Sequence, residues 1–426
     1  MSYKKLTIDS LLQESTISNS NMNSRPTLLS LTRATTKLIY SELVATQRTT
    51  MPLATLFGVK YLTPDNELSF VTGATYAGAV SKNDRAGLQE FTVANKDTFV
   101  KGNMFKYQNV VYKVIKDTPF ANTSGTKEFD ILSEAIADSA IRLVSEAAAT
   151  SKFESRDPGI SEARFRVDKW NSEIKSRKLK TELTVELAQD MESTGFDAVN
   201  MVEDVLATQM ADEINKDILQ SLITVSSRFR VTGVTDKAIL DLTGIDNAPE
   251  QSRKLYRYIC EMNSDIQRNT SYSGSYVVAS SRCAALLAAS GWMDGNDDEE
   301  SNAYGILKNG LPLYCDVTSP VEYVVVGVKA KYGDNELVSS LFYAPFSEGM
   351  DLEEEEHVGE FKVINDPSSL QPMVALLLRY GLCVNPYTIG LGEEEARIID
   401  ASDMDKMAGR SKMSSYLGVK LPALIQ

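Results

Sequence analysis

Two alternating segments, 53–70 and 163–180, constrain the fold more than any other feature of this chain. In the first, Phe57, Val59 and Tyr61 alternate with other residues, as do Leu68 and Phe70, and in the second Phe165 and Val167 alternate with charged residues. A period of two is typical of strands, and together the segments predict a long two-stranded ribbon. Because an isolated ribbon is marginally stable in water, this one is expected to lie against another subunit.

The N-terminal region also has too little apolar surface to form a core by itself. Residues 1–14 form a short amphipathic segment, and residues 15–27 are polar and predict a flexible arm. Residues 28–52 are richer in leucine and predict a short helix that ends before Pro52. Since residues 15–52 cannot form a core alone, their leucines are expected to need a neighbouring subunit.

A long amphipathic helix is predicted over 197–223, with Asp197 as its N-cap. Its apolar residues recur at steps of three and four: Val202, Val205, Leu206, Met210, Ile214, Ile218 and Leu222. At 1.5 Å per residue the helix would be about 40 Å long, enough to form the spine of a domain.

The rest of the chain predicts a mixture of helices and strands, and hence an α+β fold. A hairpin is predicted over 104–115, turning at Gln108-Asn109, and a helix over 128–150. Further helices are predicted over 251–268 and 282–289, and strands over 276–279, 323–329 and 337–343. The apolar segment 374–382 fits a buried strand or a short helix.

The second ribbon segment ends in a basic run of Lys175, Arg177, Lys178 and Lys180. The simplest interpretation of such a run is a solvated face. The alternative is a specific contact with an acidic neighbour.

The charge composition argues against nucleic-acid binding. The chain has 44 Lys and Arg against 58 Asp and Glu, a net charge of −14. Neutralisation of phosphates provides most non-specific affinity for nucleic acids, so no sequence-specific nucleic-acid partner is expected. No apolar run approaches the roughly 18–20 residues of a membrane span, and no membrane insertion is expected.

The residue inventory leaves little room for catalysis. The chain has one histidine, His357, which follows a run of four glutamates and is interpreted as part of a solvated loop. The four cysteines form no C-x-x-C pair, and Cys315 and Cys383 are interpreted as small buried hydrophobes. No catalytic residue is therefore predicted, and the chain is not expected to be an enzyme.

Two partial motifs fail for physical reasons. Gly390 and Gly392 are followed by three glutamates, which would repel a pyrophosphate. A loop beginning at Asp294 resembles a calcium loop, but its sixth position is Glu299 and its twelfth is Gly305. No cofactor and no metal site are therefore predicted, although a metal-dependent hydrolase using the acidic loops is an alternative reading.

Several stretches together resemble the capsid vertex proteins of T4-like tailed bacteriophages, a family with the HK97-like capsid fold. The likeness covers nearly the whole chain and is carried by Arg25–Leu28, Thr32–Tyr40, Lys175–Lys180, Glu186–Asp190, Ala211–Asn215, Gly305–Asp316, Leu341–Pro345, Ser369–Pro372, Arg379–Gly381 and Asp403–Arg410. The resemblance implies an α+β chain with an N-terminal arm, an extended β loop, a long spine helix and an inserted small domain.

The resemblance also implies a domain organisation. We expect a propeptide at residues 1–14, an arm at 15–52 and an extended loop at 53–180 that carries an insertion domain at about 75–150. A peripheral domain with the spine helix is expected at 181–240, an axial domain at 241–395 and a C-terminal segment at 396–426. The hexamer-forming major capsid protein of the same family is the alternative to a vertex protein.

The family's prohead protease cuts after a glutamate that lies two residues beyond a leucine or isoleucine. Leu12, Glu14 and Ser15 fit this pattern, and the accessible chain around them suits proteolysis. The partners implied are copies of the chain in a pentamer, hexamers of major capsid protein, and the internal scaffold and protease during assembly, with room for outer decoration proteins. The expected location is the capsid vertex of the virion, after assembly in the host bacterial cytoplasm.

Overall fold

The structure is a computed structural model that describes residues 39–65, 73–121, 123–154, 156, 159–186, 189, 198–244, 248–295, 302–332, 336–346, 360–365, 371–385 and 403–423. Its helices, in chain order, are α1 (Tyr40–Leu43), α2 (Lys82–Ala86), α3 (Glu128–Ala137), α4 (Thr150–Phe153), α5 (Ala198–Val225), α6 (Ala248–Thr270) and α7 (Ser281–Ala288), with a 3₁₀ helix at Val93–Thr98.

The strands pair mostly antiparallel and occur in runs between these helices, which confirms the predicted α+β class. They are β1 (Ala45–Thr46), β2 (Leu53–Leu62), β3 (Met104–Tyr107), β4 (Val110–Val114), β5 (Ile141–Leu143), β6 (Arg164–Glu173), β7 (Lys175–Glu182), β8 (Ser226–Arg228), β9 (Ile239–Asp241), β10 (Tyr276–Ser280), β11 (Met293–Gly295), β12 (Gly305–Leu307), β13 (Pro312–Asp316), β14 (Tyr323–Gly327), β15 (Lys329–Tyr332), β16 (Glu336–Ser339), β17 (Leu341–Pro345), β18 (Glu360–Asn365), β19 (Pro372–Val384) and β20 (Ser411–Lys420).

The chain divides into two compact units. The first comprises Met1–Thr55, Asn171–Arg268 and Tyr272–Gln426, and the second comprises Leu56–Trp170 and Asn269–Ser271. The paired strands β2 and β6 carry the chain out of the first unit and back into it.

In the first unit, β19 is the central strand of a sheet packed on α5. It pairs antiparallel with β7, β17 and β18. The inward side chains of β19, among them Val374, Leu376 and Leu378, share one core with the buried stripe of α5: Leu206, Met210, Ile214, Ile218 and Leu222. Full burial of such a side chain stabilises by about 1.5–3 kcal/mol, so this contact holds the helix to the sheet.

The predicted long helix is confirmed, with one of its apolar residues misassigned. Val205 is 61% exposed. The buried residues from Leu206 onward follow steps of four, and Val205 lies off that line, so it points to solvent.

A second sheet in the first unit has the strand order β11-β12-β13-β10-β14-β20-β8, with β9 also paired to β20. The central strands β10 and β14 are buried throughout. Helices α6 and α7 pack on this sheet through a core that includes Leu255, Ile259, Ala284 and Leu287.

The second unit has the sheet β3-β4-β5 and an aromatic core. Phe105 is fully buried, with its ring centroid 4.7 Å from that of Phe99 and 5.3 Å from that of Phe91. The predicted hairpin is confirmed, and Gln108 and Asn109 at its turn have φ of 46° and 66°. Positive φ at both central residues matches the right-handed twist of the flanking strands.

The helix predicted over 128–150 is wrong in its second half. Helix α3 ends at Ala137, and Ser139 has φ of 54°, a left-handed conformation that stops the helix. The next residues form β5, which pairs with β4. The apolar residues there fit either period, and pairing with the open edge of β4 decides for the strand.

Candidate assembly surfaces

The ribbon of β2 and β6 carries exposed apolar side chains. Phe165 is 73% exposed and Val167 is 58% exposed, on alternate positions of β6 as the sequence predicted. Leu53, at the start of β2, is 47% exposed. Exposed apolar side chains on one face of a strand mark a candidate interaction site, so β6 presents a face that a partner can cover.

Strand β7 continues from β6 after Ile174 and belongs to the first unit. Strand β7 pairs with β19 along its whole length, from Lys175 opposite Tyr380 to Glu182 opposite Met373. Side chains of β7 therefore alternate between α5 on one side of the sheet and the opposite, outer side.

Arg177 is the inward member of the basic run, and it joins the strand to the helix. Its two Nη atoms lie 3.1 Å from carboxylate oxygens of Glu213 and Asp217 on α5. Its Nε donates a hydrogen bond of 2.6 Å to the hydroxyl of Tyr380 on β19, and that hydroxyl in turn donates to Asp217. Strands β7 and β19 and helix α5 thus meet at one charged cluster at the base of the ribbon.

The electrostatics of this cluster favour its ionised and hydrogen-bonded form. Burial raises the pKa of Tyr380, and its hydrogen bond to Asp217 raises it further, so the hydroxyl stays a donor. Burial opposes the charge on Arg177, but its hydrogen bonds to Tyr380 and Asp217 and the charge of Asp217 outweigh it and raise the pKa of the guanidinium. The cluster holds Arg177 charged and the strand in place on the helix.

A second candidate surface is the loop between β13 and β14. Asp316, at the start of the loop, accepts hydrogen bonds from the backbone N–H of Thr318 (2.9 Å) and from its hydroxyl (2.8 Å). Its other oxygen accepts a 2.6 Å bond from the buried hydroxyl of Tyr323. The loop is therefore held by its own side chains, yet Val317 and Val321 are 76% and 55% exposed. A preformed loop that displays two valines is suited to contact another protein.

The described residues include acidic side chains and thiols on which a metal site or a reactive cysteine would depend. Within them, no group of three or more His, Cys, Asp or Glu side chains is placed to hold a metal ion. Burial raises the pKa of Cys283 to about 12, which keeps that thiol protonated and unreactive. Asp294, the first residue of the failed calcium loop, is paired with Lys308 at 2.6 Å. No helix in the described ranges combines the length and the apolar character of a membrane span.

The predicted cleavage residues Leu12, Glu14 and Ser15 lie outside the described residues, as does His357. Sequence reasoning missed the roles of Tyr380 and Asp316. The role of Tyr380 depends on partners far along the chain, and that of Asp316 depends on the exact geometry of a turn. The available signal was the spacing of Glu213 and Asp217 four residues apart on α5, which places two carboxylates on one face of the helix.

Comparison with known proteins places the chain among phage capsid proteins. The family model described as "Major capsid protein Gp23" matches residues 21–419. The capsid vertex protein of Enterobacteria phage T4 is 58% identical over 422 residues, covering 98% of this chain and 99% of that protein. The major capsid protein of the same phage is 29% identical over 271 residues, covering 58% of this chain and 49% of that protein.

Among solved structures, the capsid of Myoviridae phage XM1 covers 92% of this chain and 95% of its own, with 7% identity and a TM-score of 0.40. A TM-score of this size carries no conclusion. The family relationship therefore rests on the sequence matches.

Proposed function

Because this chain belongs to the Gp23 major capsid protein family, we propose that it forms pentamers at the vertices of a phage head. The resemblance to capsid vertex proteins of T4-like phages is confirmed, and the chain is a structural capsid protein. Its pentameric state and its five-fold position are the proposal.

One observation carries the choice of vertex over hexamer. The T4 vertex protein matches end to end at 58% identity, whereas the T4 major capsid protein matches over 58% of this chain at half that identity. A shell protein that had to form hexamers would be expected to match the major capsid protein along its full length.

Cryo-electron microscopy of purified heads tests the assignment directly. We expect density for this chain at the five-fold positions and density for a major capsid protein at the six-fold positions. Density for this chain at the six-fold positions would instead support the hexamer-forming alternative.

The physical basis of assembly is apolar surface that one chain cannot bury. The ribbon face with Phe165 and Val167 and the loop with Val317 and Val321 are exposed in a single chain. Obligate interfaces commonly bury about 2,000 Å² or more. A repeated head-to-tail contact between different surfaces of identical chains closes into a ring when the rotation allows it, which is the type of contact a pentamer needs.

Proteolytic maturation is the second part of the proposal. The prohead protease cuts after Glu14, and loss of residues 1–14 removes their contact with the internal scaffold, which makes assembly irreversible. Intact-mass measurement on mature heads is expected to give a chain that begins at Ser15. A chain that still carries residues 1–14 in mature heads would contradict cleavage.

A Glu14→Ala chain tests the consequence. It is expected to stay uncut and to give heads that fail to mature. Normal maturation of heads built from uncut Glu14→Ala chains would show that cleavage is not the switch.

The remaining partners follow from a place in the shell. They are copies of this chain, major capsid protein hexamers, and the scaffold and protease during assembly in the host cytoplasm, with room for outer decoration proteins on the finished head. A structural role of this kind needs no cofactor, no metal and no catalytic residue.

A further inference from the structure

The outer face of the sheet formed by β18, β19 and β7 carries three exposed lysines, Lys178, Lys180 and Lys362. Paired residues of antiparallel strands point to the same side, so the register places Lys180, Ala375 and Lys362 in one row across the three strands. The next row along the strands contains Lys178, Leu377 and Glu360, so the face carries Lys178, Lys180, Lys362 and Arg379 against Glu182 and Glu360. On β19, Ala375 and Leu377 alternate with the buried Val374, Leu376 and Leu378, which share a core with α5.

Cations on this face outnumber their partners. Lys180 lies 3.6 Å from Glu182 on its own strand, and Arg379 stacks over the ring of Phe346 at 4.2 Å. Lys178 and Lys362 are exposed, and no carboxylate oxygen among the described residues lies within 4 Å of either. In a chain with a net charge of −14, such a concentration of lysines calls for a functional reason.

The centre of the face is apolar. Met373, Ala375 and Leu377 are half-buried along β19, and Ile364 on β18 is 43% exposed. Strands lie about 4.8 Å apart, so the backbones of Lys180 and Lys362 stand about 10 Å apart on either side of Ala375. The small alanine therefore has a lysine on each side and larger apolar residues before and after it along the strand.

This arrangement fits a polypeptide that carries a carboxylate between two apolar side chains. The carboxylate would lie over Ala375 between the two ammonium groups, and the apolar side chains would cover Met373 and Leu377. Those two residues are four apart on a strand, about 13 Å. An extended acidic segment with apolar residues four apart and a carboxylate midway between them matches this spacing.

Nucleic acid fits the face less well. A phosphate backbone would pair with the lysines but would leave the apolar strip uncovered, and binding of single strands relies on aromatic side chains on which bases stack. The apolar strip of Ile364, Met373, Ala375 and Leu377 contains no aromatic side chain, and the ring of Phe346 on this face is already stacked against Arg379. Charge complementarity and the apolar centre together favour protein.

We propose that the outer face of β18, β19 and β7 is a docking surface for an acidic, partly apolar polypeptide segment of another chain in the assembling shell. This rests on the proposed function in that it takes the chain to be a shell component. The lysines give the contact its register, and the apolar strip gives it stability once water is excluded.

The first test is lysine acetylation read by mass spectrometry, together with carbodiimide cross-linking, which joins a lysine directly to a carboxylate in contact with it. The purified chain and the assembled particles are treated in parallel. We expect acetylation of Lys178, Lys180 and Lys362 to fall at least fivefold in particles. We also expect cross-links from these lysines to Asp or Glu of another chain.

Two other results would overturn the proposal. Equal acetylation in both samples would show that the face stays open. Protection that disappears when particles are emptied of DNA, without any cross-link to protein, would assign the face to nucleic acid. The acetylation result does not depend on which position of the particle the chain occupies. It therefore tests the docking surface independently of the proposed five-fold placement, which electron microscopy of the same particles tests separately.

The second test is charge reversal with a matched control. Lys178→Glu/Lys362→Glu removes two cations that have no intrachain ion pair among the described residues. It is expected to lower incorporation into particles at least tenfold while leaving the urea unfolding midpoint unchanged. The control, Lys101→Glu/Lys237→Glu, changes two exposed lysines elsewhere and is expected to incorporate within twofold of the natural chain. Equal incorporation of the two variants would overturn the docking surface.

Discussion

Removal of a single hydroxyl at the base of the ribbon provides a sensitive probe of the charged cluster. Tyr380→Phe keeps the aromatic ring, whose centroid lies 5.4 Å from that of Tyr343, so it creates no cavity. It removes the acceptor of the 2.6 Å bond from Arg177 and the donor to Asp217. The variant therefore isolates the hydrogen bonds from the packing.

The expected size of the effect follows from the geometry. Hydrogen bonds to charged groups contribute about 1.5–3 kcal/mol each. Arg177 and Asp217 still face each other at 3.1 Å in the variant, so neither charge is left alone, and both are about one-third exposed. The loss is therefore at the low end, about 1.5 kcal/mol. With a urea slope of about 3 kcal/mol per molar, the unfolding midpoint falls by about 0.5 M.

Urea unfolding of the purified chain, followed by circular dichroism, measures this shift. The control is Tyr304→Phe, which removes the hydroxyl of a tyrosine that is 46% exposed and is expected to leave the midpoint unchanged. If the two variants unfold at the same urea concentration, the cluster does not hold β7 and β19 to α5 in the way argued above.

Three further predictions concern other parts of the chain. Val317→Asp/Val321→Asp is expected to change the free energy of unfolding by less than about 0.5 kcal/mol, because both side chains are exposed. The same variant is expected to reduce shell assembly, measured by sedimentation. Normal assembly would show that this loop is not part of the contact surface. Hydrogen bonds from Lys152 and Ser81 lower the pKa of Asp84 to about 2, so the stabilisation that Asp84 provides is present above about pH 4 and is lost as the pH falls towards 2. Because the Asp84–Lys152 pair is exposed, Asp84→Asn is expected to cost less than about 1 kcal/mol at pH 7 and nothing near pH 2. A pH-independent cost in urea titrations would contradict this. Burial raises the pKa of Tyr314 to about 12, while a tyrosine in the unfolded chain ionises near pH 10. The contribution of Tyr314 to stability is therefore complete below pH 10 and is lost between pH 10 and 12. Tyr314→Phe is expected to reduce the alkaline loss of stability, and an unchanged dependence of the free energy of unfolding on pH in this range would count against burial as the cause.

Elements with a strong local period could be predicted well from the sequence. The long helix predicted over 197–223 is Ala198–Val225 in the structure, and the Gln108-Asn109 turn is where it was expected. Where an apolar segment fits both periods, prediction fails or stays open. Residues 141–143 were placed in a helix and form a strand, and residues 374–382 could be either and lie within the strand Pro372–Val384.

The candidate surfaces were predicted only in part. The exposed alternation of Phe165 and Val167 was visible in the sequence because a strand with one apolar face is a local pattern. The loop valines Val317 and Val321 were not, because nothing local distinguishes an exposed valine from a buried one. The family relationship was visible because likeness along nearly the whole chain does not depend on any single motif.

The sequence by itself determined the period of each element, the net charge and the absence of enough apolar surface for the ribbon to stand alone. Only the tertiary structure decided what the basic run does, because its residues pair with a strand about 200 positions later and the register of that pairing follows from burial of β19 on α5. That register turns Arg177 inward to Asp217 and Tyr380 and leaves Lys178 and Lys180 outside beside Lys362. Neighbouring residues of one run thus acquire opposite roles, since a strand directs successive side chains to opposite faces and distant packing determines which face is covered.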